Sequence, residues 1–180
     1  MLRGFAASAN VGDGPFPGSK FTSHTHQGLY VVDMWTTTPS TDWSVGMTTI
    51  YRDKVALWAM QYGGRYDYAV IGFLRDCLHS AYIEKAFNGG RGPSFIEAEH
   101  LNGSNGFRYY NVWHGDFDDF IGRETILWLT DAPAGYHWYR GGSLTKSDLK
   151  PDAFPGFPGD ELELGASMRL QQLKAEHGCA

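Results

Sequence analysis

Two cysteines, Cys77 and Cys179, are all that this 180-residue chain carries, too few for a disulfide framework. Cys77 falls inside an apolar helical pattern and reads as a small core residue, and Cys179 as a terminal thiol. No run approaches the roughly 18 apolar residues of a transmembrane helix, so none is expected. The opening residues lack the hydrophobic stretch of a secretory signal, which makes the cytoplasm the expected location. Positive charge is also sparse. Fifteen Lys and Arg are scattered through a chain of formal charge −5, which argues against a nucleic-acid surface. Neither Gly-x-Ser-x-Gly nor His-Glu-x-x-His is present, and no nucleophile is visible. Gly89-Gly90-Arg91-Gly92-Pro93 follows an expected helix, where the dipole repels anions, so it is no phosphate loop.

Aromatic residues, in contrast, are plentiful: six Trp, ten Tyr and eleven Phe. They are enough to furnish a β-rich core in a chain of single-domain length. Many belong to an internal repeat. Trp35, Gly46, Thr49-Ile50, Trp58 and Gly63-Gly64 are answered by Trp113, Gly122, Thr125-Ile126, Tyr136 and Gly141-Gly142. The offset is 78 residues at the tryptophans, 76 at the single glycines and 78 at the glycine pairs. Five landmarks in order point to two copies of one β unit, related by a pseudo-two-fold axis.

Strand pattern begins at Gly28-Leu29-Tyr30-Val31-Val32-Asp33-Met34-Trp35 and continues from Trp43 to Arg52. The Asp53-Lys54 turn then leads into Val55 to Tyr62. Between Tyr66 and Phe87 the period changes, and Val70, Phe73, Leu74, Cys77, Leu78, Ala81 and Tyr82 mark the apolar face of a helix. Strands are expected again over 107–114, 120–129 and 136–139. Phe154-Pro155-Gly156 and Phe157-Pro158-Gly159 form a connector, and Leu162, Ala166, Leu170 and Leu173 make a second helical stripe behind the capping pair Asp160 and Glu163. The expectation is one α+β domain over residues 1–180 built from two β-meander-plus-helix units. The first copy spans about 28–87, and the second about 107–142 with a C-terminal helix at about 160–177. The two sheets are expected to form a continuous or facing antiparallel surface, with the helices on one side.

Site candidates are fewer. Gly18 and His24-Thr25-His26 fit the opening of a cupin metal motif, Gly-x5-His-x-His, but its Glu is missing, and a solvated strand edge is the better reading. His114-Gly115-Asp116-Phe117-Asp118-Asp119 gathers an imidazole and three carboxylates, in a stretch whose Gly and Asp also suit a turn. Glu124 is a carboxylate inside the apolar strand Ile121 to Trp128, where the first copy has Thr48. If its face turns inward it needs a partner, and Arg91, Arg108 or Arg140 could supply one. His114, Asp116 and Glu124 are together the only groups near enough in sequence for a proton-transfer set.

Pro17-Gly18-Ser19, Tyr30-x-x-Asp33 and Trp58-Ala59-Met60-Gln61-Tyr62-Gly63-Gly64 resemble the first half of an uncharacterised bacterial domain that occurs alone and behind helix-turn-helix regulators. Arg91-Gly92-Pro93, Phe120 to Ile126 and Gly141-Gly142 are similar to its second half, so the resemblance covers about residues 17–144. Thr48 departs from the family's usual acid in the first copy. The resemblance implies a cytoplasmic bacterial domain with a sensing role, and it brings no activity with it. The function expected is a small-molecule-binding module with its ligand between the copies. Trp35, Trp58, Tyr62, Trp113 and Tyr139 would form the walls, and Asp33, Arg91 and Glu124 the anchors. The alternative is a small-metabolite enzyme using His114, Asp116 and Glu124; a third reading is an interaction module using exposed aromatic edges and the Phe-Pro-Gly tail. No metal, cofactor, nucleic acid or membrane partner is expected, and a homodimer is left open.

Overall fold

The computed structural model describes residues 11–38, 42–84, 87–98 and 106–145, with only the backbone of 82–84. Its strands are β1(Gly12–Asp13), β2(Ser19–His26), β3(Leu29–Thr37), β4(Trp43–Arg52), β5(Val55–Tyr66), β6(Phe95–Ala98), β7(Phe107–Gly115), β8(Asp119–Trp128) and β9(Pro133–Ser143). All nine join one antiparallel sheet in the order β1-β2-β3-β4-β5-β9-β8-β7-β6. Two meanders therefore meet at the β5–β9 seam, where Tyr62 faces Tyr139. Hairpins close them: Gln27-Gly28 and Asp53-Lys54 all have positive φ, the geometry of a two-residue turn that matches strand twist.

The α+β expectation is corrected. Among the described residues the only α-helix is α1(Ile71–Glu84), and the protein is mainly β. The pattern overstated the helix at its start, because Tyr66 still belongs to β5. Asp67 then accepts a 2.9 Å hydrogen bond from the Ala69 amide and caps a 3-10 turn over Tyr68–Val70. A strand also forms over Ser19–His26, ahead of Gly28 where the strand pattern begins in the sequence. The second helical stripe, the Phe-Pro-Gly connector and Cys179 lie outside the described residues.

The register repeats across the seam. Trp35, Gly46 and Tyr62 stand side by side on β3, β4 and β5, and Trp113, Gly122 and Tyr139 do so on β7, β8 and β9. In both rows the glycine makes room for the tyrosine: a Cβ on Gly46 would meet the Tyr62 ring at 2.5 Å, and one on Gly122 would meet the Tyr139 hydroxyl at 2.3 Å. The counterpart of Tyr62 is thus Tyr139, at an offset of 77. Trp58 and Tyr136, paired by sequence spacing, are not equivalent. Trp58 is buried with Tyr62, while Tyr136 pairs with Thr125 and Arg65 on the opposite face.

One face carries the core, in two patches. Phe73, Leu74 and Cys77 of α1 pack on Tyr66, Phe107, Tyr109 and Ile126. Burying each large apolar side chain contributes about 1.5–3 kcal/mol. Val31, Ile50, Trp58, Met60, Tyr62, Phe120 and Tyr139 make the second patch, and Trp35, Trp113 and Phe87 pack against it. Gly89 and Gly90, at φ 63° and 73°, bring the chain after α1 onto Tyr139 and Met60.

Candidate functional site

Strand alternation turns Glu124 toward this core face, where it is 0% exposed. Arg91 donates to Oε1 from Nη2, Tyr66 donates its hydroxyl to the same oxygen, and Tyr109 donates to Oε2 at 2.7 Å. Burial alone would push the Glu124 carboxyl up. The charge and hydrogen bond of Arg91 outweigh it and hold the group below the ordinary carboxylate range. Burial, then the Glu124 charge, pushes the Tyr66 and Tyr109 hydroxyls well up, and the Cys77 thiol as well. These are proton-holding groups, poorly suited to acid–base work near neutrality.

His137 lies beside them. Its Nε2 is 3.0 Å from the Ser44 hydroxyl and its Nδ1 is 3.9 Å from Glu124 Oε1. The trio has the composition of a Ser-His-acid relay without its geometry, since 3.9 Å is too long for a hydrogen bond. Burial and the nearby Arg91 charge push His137 down to about 3, so the ring is neutral at neutral pH and a weak base.

The two units carry matching but unequal polar groups. In the second, Tyr139 donates to Asn111 Oδ1 at 2.6 Å. Asn111 Nδ2 donates to the carbonyls of Asn88 and Gly92 at 2.9 and 2.8 Å. In the first, Tyr62 and Thr48 donate to Asp33 Oδ1 at 2.9 and 2.8 Å. Asp33 and Asn111 are related by the same offset of 78 as the tryptophans. Thr48 and Glu124 are likewise equivalent, so the acid stands on β3, the first strand of one row of three, and on β8, the middle strand of the other. Burial pushes the Asp33 carboxyl up, against the bonds from Thr48 and Tyr62 and the charge of Arg91.

That shift has a measurable sign. A carboxyl raised in the folded state favours folding below its unfolded value of 3.8, and the advantage is lost as pH climbs through the higher folded value. Charged Asp33 therefore costs stability at neutral pH. Asp33→Asn is expected to raise the urea midpoint at pH 7, with the gain shrinking toward pH 4. Glu124 and His137 are common to both proteins, so the difference isolates Asp33. A gain that does not depend on pH would refute the assignment.

Of the residues singled out from the sequence, the structure gathers Asp33, Tyr62, Arg91, Glu124 and Tyr139 on one face. Arg91 lies 5.4 Å over the Tyr62 ring. The wall residues are mostly packed: Trp58 stacks on Phe117 and Phe120 at 5.4 and 5.6 Å and donates to the Phe117 carbonyl at 2.9 Å. Trp35 and Trp113 are half-buried against the same patch. His114 and Asp116 do not join Glu124. His114 is exposed at the end of β7, and Asp116 accepts a 2.8 Å bond from the Asp118 amide in the β7–β8 turn. The spacing missed Tyr66, Tyr109, Asn111 and His137; the Asp33–Asn111 offset was the one signal available.

The opposite face holds a hollow of about 330 Å³, lined by Met34, Thr36, Val45, Met47, Gln61 and Trp138, with Trp35, Gly46 and Tyr62 also bordering it. Gly63 stands between Val45 and Trp138 in the register, and the Trp138 ring lies over it, 3.0 Å from where a Cβ would be. Trp43, Val45 and Trp138 are about half exposed on this face, at 50%, 57% and 47%. Among the described residues no cluster of three or more His, Cys, Asp or Glu could hold a metal, and no helix is long and apolar enough to cross a membrane. His24 and His26 stack at 6.2 Å on β2.

No curated protein and no solved structure matches the chain. A family described as a domain of unknown function, DUF5680, matches residues 40–144, from the approach to β4 through β9. With more than half its length matched, including the seam, the Glu124–Arg91 pair and the whole second meander, the chain belongs to the DUF5680 family.

Proposed function

We propose that this chain is a small-molecule-binding module whose ligand occupies the hollow between Val45 and Trp138. The observation that carries the reading is the hollow itself: about 330 Å³, with two thioethers and an indole for walls. That volume falls in the range of ligand pockets, which pair apolar walls with a few orienting polar groups. Met34 and Met47 adapt to irregular shapes, and the Gln61 amide is the group that would orient a ligand. Of the walls named from the sequence, Trp35 and Tyr62 border this space from within the sheet, with their rings on the opposite face. The Glu124 cluster has its oxygens filled and serves the fold. We read the module as a cytoplasmic bacterial domain in a sensing role, working without cofactor or nucleic acid; this part rests on composition and family resemblance.

A metabolite library screened by thermal shift tests the reading. A ligand at a hundredfold its Kd should add about 2.7 kcal/mol of stability. Val45 is 57% exposed, so Val45→Arg should fold while filling the hollow, and it should abolish the shift. A broad library without response, or a response that Val45→Arg leaves intact, would remove the proposal.

A further inference from the structure

The symmetry of the two units exposes a gap. On the second, residues 88–92 lie across the polar row and seal Asn111, which is 1% exposed, by accepting both hydrogens of its amide. On the first, Asp33 holds the equivalent place, on the same face and beside the equivalent tyrosine. Its Oδ1 takes both the Thr48 and the Tyr62 hydroxyl. Among the described residues its Oδ2 has no hydrogen-bond partner, and Asp33 is half-buried rather than enclosed. The loop that completes the second unit has no counterpart over the first among the described residues.

The polarity of the place is inverted as well. Asn111 offers donors and is met by carbonyls, whereas Asp33 offers an acceptor and calls for a donor. Charge counting sharpens this. Arg91 pairs with Glu124 and adds a longer-range attraction at Asp33, and His137 is neutral, so among the described residues one cation serves these two carboxylates. Lys20, also on this face, is engaged by Asp13 at 2.5 Å. An asparagine would make the same bonds at lower cost, as the second unit demonstrates; keeping a costly acid is the pattern of a functional group.

We propose that Asp33 anchors a second binding site, on the face that carries α1, for a ligand bearing a protonated amine. The ammonium donates to Asp33 Oδ2, where the 88–92 loop lies on the other unit. The half-buried Trp35 ring, two residues along the same face, takes the apolar body, a surface that also attracts a cation. Thr22, the cross-strand neighbour of Asp33 on β2, borders the place with a hydroxyl. This site lies across the sheet from the hollow and stands or falls apart from it.

The probes are 2-phenylethylamine, protonated at pH 7.5, and its neutral isostere 2-phenylethanol, followed by thermal shift and by calorimetric titration of the full chain. The amine should stabilise the wild type saturably and the alcohol should not. Asp33→Asn, which keeps an acceptor for Tyr62 and Thr48, should fold and weaken amine binding at least tenfold. Three outcomes would each overturn the proposal: no saturable amine response in the wild type, equal responses to the two probes, or amine binding that survives in a folded Asp33→Asn.

Discussion

Arg91→Met and Glu124→Gln are each expected to destabilise the protein by about 3–5 kcal/mol, the usual cost of stranding one member of a buried ion pair. Glu124 is fully buried and Arg91 is 7% exposed, so water can compensate neither charge once its partner is gone. Tyr66 and Tyr109 already donate to the carboxylate and have no second charge to offer. The double variant should cost much less than the two losses together. It removes both charges, and a glutamine oxygen still accepts from the tyrosines. Urea denaturation of the four proteins completes the cycle. A single variant losing less than about 1 kcal/mol would show that the pair is not buried as described. The linkage to pH follows from the lowered Glu124 value. Its stabilisation is present above the ordinary carboxylate value of 4.5 and is lost as pH falls through the lower folded one. His137 works in the same direction, because an unfolded chain protonates it below about 6.5 whereas the folded one resists until about 3. Acid should therefore unfold the wild type even as it relieves Asp33.

The second large effect is expected from a single methyl group. Gly122→Ala places a Cβ 2.3 Å from the Tyr139 hydroxyl oxygen and 2.4 Å from the ring carbon that bears it. Tyr139 is fully buried and pinned by its bond to Asn111, so it cannot swing away. Overpacking of this kind costs typically about 1–3 kcal/mol. Gly46→Ala makes the same collision with Tyr62 at 2.5 Å, next to a tyrosine that is 7% exposed and an Asp33 that is half-buried. Its cost should be the smaller of the two. Thermal denaturation of both variants checks the order. Equal stability to wild type at Gly122 would contradict the packed row, and a larger loss at Gly46 would contradict the asymmetry between the units.

Much of this arrangement is legible in the sequence. The Trp35–Trp113 and Gly46–Gly122 spacings mark a repeat because each glycine must face the same tyrosine, and a constraint on packing leaves a trace in order and distance. Glu124 stood out because a carboxylate among Ile, Leu and Trp demands a partner, and Arg91 was among the three arginines considered. Tyr136 is not a landmark because the β8–β9 connection is longer than the β4–β5 one, which spacing alone does not reveal; the bulge near Ile126 has its counterpart near Ile50. The α+β expectation failed for a related reason. The helical stripe at 70–82 is real, but it is the only α-helix among the described residues, and β2 and β6 extend the sheet instead. His114 and Asp116, neighbours of Glu124 in sequence, are carried away from it by the turn between β7 and β8.

The sequence by itself determined the repeat, the strand faces, the apolar stripe of α1 and the presence of one anomalous acid. Each of these is written in local order, as a period of two or about 3.6 residues or as a recurring interval. Tertiary structure alone decided that the two meanders join through β5 and β9 into one sheet, and which face lies under α1 and the loop that follows it. It also decided that Asn111 is sealed while its equivalent Asp33 is half-buried and, among the described residues, bonded through Oδ1 alone. Alternation tells which side chains share a face, but what covers that face comes from segments distant in the chain. Residues 88–92 cross the second unit and reach the first at Met60 and Tyr62 of β5, but among the described residues Asp33 on β3 has no such cover, a difference that pattern within a strand does not encode.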